Sequence, residues 1–212
     1  MGARHEQQPP VKLFFAMMAA GPALLEKCER DLAALYGPTD LRGDLFAFDP
    51  FTDYYAKEFG TGLVKRIVSV EPLIPAEELV DVKIRTNQME QDFVAPVGEG
   101  APGEMCVPVG EGKPVREGPP AQKTGGAEHP RRLVNMDPGY LNLSKVVLAS
   151  TKDHWHRLYV GRGIFEEITL SYRRMEGGFC PMQWTYPDYR DPERIAFFHR
   201  LRERYQAQLA RP

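Results

Sequence analysis

Two kinds of apolar pattern alternate along the chain. Val11 to Met18 is apolar on both faces, which predicts a strand buried in the middle of a sheet. From about Pro22 to Tyr36 the apolar residues take helical spacing. Leu24, Leu25, Cys28, Leu32 and Leu35 form one face, Pro22 sits in the first turn, and Gly37-Pro38 ends the helix. Asp44 to Asp49 reads as a short strand, with Pro50 to Tyr55 as the connection after it. Leu63 to Glu71 returns to a period of two, with Val64, Val68 and Val70 on one side and Lys65, Ser69 and Glu71 on the other. A second helix is predicted from about Pro75 to Phe93, turning Leu79, Val82, Thr86, Met89 and Phe93 inward.

Residues 95–130 break the pattern. Pro96-Val97-Gly98-Glu99-Gly100 recurs as Pro108-Val109-Gly110-Glu111-Gly112, aromatics are absent, and no period survives. That composition predicts a flexible insertion. Arg132 to Tyr189 then supplies three or four strands separated by turns dense in Asp, Lys, His, Tyr and Asn. A last helix is predicted from about Pro192 to Leu209, capped by Asp191. Its stripe is Ile195, Phe198, Leu201, Tyr205 and Leu209, and Arg194, Arg200, Arg202 and Arg204 lie mostly off it on a solvated face. Strand, helix, strand, strand, helix, strand is the order up to Asp137. It predicts an α+β fold with a ferredoxin-like split βαβ core, to which a C-terminal β-hairpin and a terminal helix are added. The whole of residues 1–212 is expected to form one domain.

Composition narrows the function classes. At 42% hydrophobic and 26% charged, the chain can bury a real core. Its 27 basic against 29 acidic residues give no global basic field, so nucleic acid is not the expected partner. Cys28, Cys106 and Cys180 contain no C-x-x-C pair, which fits reduced thiols in a cytoplasmic protein. Leu13 to Ala20 follows Arg4 and Lys12 and resembles a signal-peptide core, but a buried strand leading through Gly21-Pro22 into a helix explains it better. No apolar segment is long enough to cross a bilayer. The glycines of residues 95–130 do not make a phosphate loop. Val107 stands where its first Gly would fall, and Pro114 where its Ser or Thr would fall.

Candidate chemistry concentrates between Asn135 and Tyr189. In a hairpin turning at Gly161-Arg162-Gly163, Val160 would face Ile164 and Leu158 would face Glu166. His156 and Glu166 then share the more apolar face, as a general-base or ligand pair or as a purely structural one. Arg157 and Glu167 would form a surface cross-strand pair. Asp137-Pro138-Gly139 suits a type II turn, with Asp137 either capping it or held as a carboxylate at a sheet end. Lys152 and His154 lie in a polar turn able to contact phosphate or carboxylate. Trp184-Thr185-Tyr186-Pro187-Asp188-Tyr189 is a stiff aromatic loop carrying the acid Asp188. Asp49, Thr52, Asp53 and Tyr54 add oxygens from the earlier connection, where Asp53 is equally the N-cap of a short helix.

Several of these segments carry a resemblance: Phe48-Asp49 with Thr52-Asp53-Tyr54-Tyr55, Thr86-Asn87 with Glu90, Asn135 to Leu141, Leu148 to Asp153, His156-Arg157 and Trp184 to Tyr189. Together they resemble an uncharacterised bacterial family of the DUF4416 type, over nearly the whole chain apart from the Pro/Gly-rich insertion. Members are often labelled GTP-binding proteins, which implies a nucleotide ligand without implying a mechanism. The residues themselves lack GTPase motifs. Thr151-Lys152-Asp153 has no spacer between Lys and Asp, and Asp137 is followed by Pro138-Gly139 rather than by two residues and Gly.

The expectation is therefore a protein that binds a polar or phosphorylated small molecule, a nucleotide among the options. His156, Glu166, Asp137 and Asp188 are the candidate acid–base residues. Asp53, Tyr54, Asn135, Tyr140, Lys152, His154, Arg157 and Tyr186 are the candidate ligand contacts. No residue is assigned to a metal and the cofactor stays unknown, as do the oligomeric state and whether the chain is an enzyme. The alternatives are a metal-assisted phosphoester hydrolase drawing on Asp53, Asp137, His156, Glu166 and Asp188, and a non-catalytic assembly partner using the last helix or the aromatic loop.

Overall fold

The computed structural model describes residues 9–51, 62–94 and 132–211. Asp53, Tyr54, Cys106 and the expected insertion at residues 95–130 lie outside them.

The leading apolar run is strand β1 (Val11–Ala19), buried along its whole length. Helix α1 (Pro22–Tyr36) has the bounds that Pro22 and Gly37 predict; the Gly37 N–H donates to the Ala33 carbonyl at a φ of 103° that favours glycine. Leu25, Cys28 and Leu32 are its buried face, while Leu35 stays 49% exposed. In place of one strand at Asp44 to Asp49 come β2 (Thr39–Arg42) and β3 (Phe46–Ala47). Asp49 turns the chain there, its carboxylate accepting from the N–H groups of Gly62 and Leu63 at 2.7 and 3.1 Å. Strand β4 (Val64–Ile74) runs longer than expected, and a 3-10 turn at Ala76–Glu78 leads into helix α2 (Leu79–Glu90). The expected inner face of α2 is buried, and Lys83 and Glu90 are buried with it.

After this come β5 (Val134–Leu141), β6 (Lys145–Ser150), β7 (Leu158–Gly161), β8 (Ile164–Arg173) and β9 (Gly178–Pro181). A single helical turn, α3 (Pro187–Arg190), precedes α4 (Pro192–Leu209), whose N-cap Asp191 accepts from the Glu193 N–H. The added hairpin extends the first sheet: the strands line up as β2-β4-β1-β5-β6-β8-β7, with β3 beside β4 and β9 beside β8. Each pairing is antiparallel, so the fold is α+β.

Both faces of the sheet are covered. Leu13, Phe15 and Met17 of β1 pack with Leu25, Leu32, Leu79 and Val82 under α1 and α2. Phe14 and Ala16 pack on the other face with Phe197, Phe198, Leu201 and Tyr205 of α4. Each fully buried Leu or Phe contributes about 1.5–3 kcal/mol, so the alternation along β1 fixes which face each helix covers. Arg194 departs from the expected solvated row. It is buried, stacks 4.0 Å from the Phe46 ring centroid and bonds Asp191, because the first turn of α4 docks on the sheet. Among the described residues no helix is long and apolar enough to cross a membrane.

One irregularity positions the site. β5 pairs with β1 over its full length but with β6 only through Gly139, Tyr140 and Leu141. Beyond that point β6 stays with β8 as far as Ser150, so β5 and β6 diverge. Side chains of α2 fill the gap between them. The Met136 N–H donates to Glu90 Oε1 at 2.6 Å, and Lys83 Nζ donates to the Met136 carbonyl at 3.3 Å. Pro138 sits two residues on and faces the same way, so its missing N–H falls where no ladder partner exists. The expected type II turn at Pro138-Gly139 is thus corrected: both residues are in strand, opposite Phe15 and Phe14. Gly139 is the first rung shared with β6, and a Cβ on it would lie 2.4 Å from the Val147 carbonyl oxygen.

Candidate functional site

The divergence of β5 and β6 opens a cleft of about 120 Å³. Its lining includes four carboxylates, Glu90, Asp137, Glu167 and Asp188, and five bases, Lys65, Lys83, Arg132, Lys152 and Arg157. They come from separate elements, and pairing organises them. Lys65 on β4 reaches Asp188 on α3 at 2.6 Å, and its Nζ lies 4.9 Å from the ring centroids of both Phe48 and Tyr189. Lys83 on α2 bonds Asp137 on β5 at 2.8 Å, and Asn135 Nδ2 donates to the other Asp137 oxygen at 2.6 Å. Arg132 bonds Glu90 at 2.7 Å. Arg157 bonds Glu167 on β8 at 2.7 Å and also donates to Ser150 Oγ and the Lys152 carbonyl, which pins the loop after β6.

Burial and charge push two of these acids apart. Burial raises the Glu90 carboxyl above its ordinary value, although the Lys83 charge and the Met136 N–H oppose it. Burial also disfavours charge on Asp137, but there the charge and hydrogen bond of Lys83, with Lys65 and Asn135, prevail and lower it. Carboxyls separated this way in one cleft mark a functional candidate.

The aromatic loop is fixed beside the cleft. Thr185 Oγ1 donates to the Thr169 carbonyl at 2.6 Å, and Trp184 Nε1 donates to the Ile168 carbonyl at 2.9 Å. His156 stacks on Trp184 with ring centroids 5.2 Å apart and on His154 at 5.7 Å. His156 Nε2 lies 3.1 Å from the same Glu167 oxygen that Arg157 holds. Its Nδ1 is buried and has no hydrogen-bond partner among the described residues.

The sequence-derived candidates therefore divide. Asp137, Asp188, Asn135, Lys152, Arg157 and Tyr186 line the cleft together. His156 and His154 stand just outside it. Glu166 is corrected: it is half-buried on the opposite face of β8, paired across to Ala149, and burial raises its carboxyl. The partner of His156 is Glu167, because β7 starts at Leu158 and the alternation does not extend back to His156. Leu158 does face Glu166, but a bulge sets Gly161, not Val160, opposite Ile164. Arg157 and Glu167 do pair, yet their side chains are only 4% and 1% exposed, which overturns their surface placement. Tyr140 belongs to the core under α2, where burial, then the charge of Glu166, pushes its hydroxyl up to about 12. Asp53 and Tyr54 lie outside the described residues.

Lys65, Lys83, Glu90, Arg132 and Glu167 were not singled out as site residues. Lys83 and Glu90 had a legible signal, being charges on the apolar face of α2. Among the described residues no three His, Cys, Asp or Glu side chains are grouped to hold a metal.

Comparison with curated proteins and with solved structures gives no match. A family model described as Domain of unknown function (DUF4416) matches residues 9–99 and 122–205. The stretch it skips falls inside the Pro/Gly-rich segment, and the segments that carried the resemblance supply most of the cleft wall. The chain belongs to the DUF4416 family.

Proposed function

We propose that the cleft between β5 and β6 binds a polar small molecule through an anionic group, a phosphate or a carboxylate. The observation that carries this reading is the convergence of four base–carboxylate pairs and Lys152 on one small cavity. Buried ion pairs contribute little net stability, and well-packed apolar residues in their place would hold the fold at least as well. Among the described residues the lining has one more base than acid, and Ser150, Thr151, Asn87 and Asn135 add neutral polar groups. Lys152 is a cation of the kind suited to an oxyanion, and the bonds of Arg157 to Ser150 Oγ and the Lys152 carbonyl hold the loop that carries it.

The test is a thermal melt with inorganic phosphate and ribose 5-phosphate, backed by calorimetry. At about a hundred times Kd the linkage is worth about 2.7 kcal/mol, which raises Tm by roughly 5–10 °C in a chain of this length. Lys152→Ala, at an exposed position, should keep the wild-type Tm without ligand and lose most of the rise. No shift with any phosphate or carboxylate compound would overturn the reading.

We also read the first part of the sheet as a ferredoxin-like split βαβ core. The spatial order β2-β4-β1-β5, with α1 and α2 packed on one face, supports it.

A further inference from the structure

The cleft is too small for a whole ligand of ordinary size. At about 120 Å³ it falls below the roughly 300–1,000 Å³ typical of small-molecule pockets. A single anionic group and its immediate carrier fit inside, and the rest of the molecule must lie beyond the rim. Behind the cleft wall, joined to it through Glu167, lies a group of aromatic rings. Trp155 is 78% exposed, yet its ring is held edge-on against His156 at 5.2 Å and Trp184 at 5.5 Å. An exposed indole held edge-on by two neighbouring rings presents its flat face to solvent. Glu167 ties this shelf to the cleft, since one of its oxygens meets both His156 of the shelf and Arg157 of the cleft wall. Tyr186, 44% exposed, adds an aromatic ring to the cleft lining itself.

We infer that the ligand is bipartite, a planar heteroaromatic ring carried on a phosphate or carboxylate, as in a nucleoside monophosphate, with the ring stacked on Trp155 and the anion in the cleft. This rests on the anion reading of the cleft and adds the ring. Stacking of a base on an aromatic side chain strengthens binding by about tenfold or more.

The chain's two tryptophans both belong to the shelf, so intrinsic fluorescence reads it directly. The four common nucleoside 5′-monophosphates, ribose 5-phosphate and the free nucleosides are titrated by fluorescence and calorimetry against wild type and Trp155→Ala. The expected result is quenching by at least one monophosphate that binds about tenfold tighter than ribose 5-phosphate. In Trp155→Ala that ratio falls to about one while ribose 5-phosphate binds as before. Equal affinity for monophosphates and ribose 5-phosphate in wild type overturns the ring and leaves the anion reading standing. A ratio unchanged in Trp155→Ala also overturns the assignment of the shelf. A nucleoside binding as tightly as its monophosphate, or no phosphate binding at all, removes both. A change in light-scattering mass for Trp155→Ala would make the shelf a protein contact and overturn the inference.

Discussion

An alanine methyl at position 139 would sit 2.4 Å from the Val147 carbonyl oxygen and 2.5 Å from Cζ of Phe14. A backbone oxygen cannot step aside as a side chain can, so Gly139→Ala should destabilise by about 1–3 kcal/mol or more in urea unfolding. It should do so by spreading β5 from β6. Glu166 makes a different single-residue case. Burial raises its carboxyl above the ordinary 4.5, and Lys145 only partly opposes this. The folded state thus binds this proton more tightly than the unfolded state. Stability falls as pH rises from the ordinary value through the raised native one, and the penalty persists above it. Glu166→Gln should therefore be more stable than wild type at pH 7. The advantage should vanish at low pH, where wild-type Glu166 is protonated in both states. A constant difference across that range would show that the charge is not its source.

Between elements, the link of β4 to α3 is vulnerable to mutation. Removing the Asp188 carboxylate strands Lys65, whose side chain is 10% exposed, between two aromatic rings. Asp188→Ala should cost about 3–5 kcal/mol, and Lys65→Met with Asp188→Leu should recover most of it, measured as a double-mutant cycle. Asp191→Ala, which removes the α4 cap, should cost about 1 kcal/mol. The ends of α1 and α4 were legible because Pro22, Gly37 and Asp191 act locally. The state of Pro138-Gly139 was not, because turn chemistry and a one-sided strand place the same residues in sequence. What separates them is the path of β6, which is a tertiary matter. The His156 partner was missed for a related reason: period-two counting holds only inside a strand, and β7 is short.

Over the molecule as a whole, the cleft draws on β4, α2, β5, β6, β8 and α3. The polar loops after β6 and before α3 announced themselves by composition. Lys65 and Glu167 did not, since a charge facing a split sheet looks locally like a charge facing water. The long connection between α2 and β5 has its own consequence. Its two ends lie side by side, with Val94 bridged to Arg132 and the Leu133 N–H donating to the Phe93 carbonyl at 2.8 Å. The composition of residues 95–130 predicts a flexible segment, and the cost of closing a flexible loop grows as the logarithm of its length. Deleting residues 100–121, which the family match skips, should thus change stability by roughly 1 kcal/mol or less, in the stabilising direction. A thermal melt of the shortened chain checks this.

The Met136 amide is bonded to a helix side chain, whereas the amides on either side of it face β1. Its exchange with deuterium should follow the undocking of α2, while its neighbours wait for the β1 ladder to open. Protons one residue apart would then report two separate opening events, and the difference in their protection would measure how firmly the helix seals the sheet.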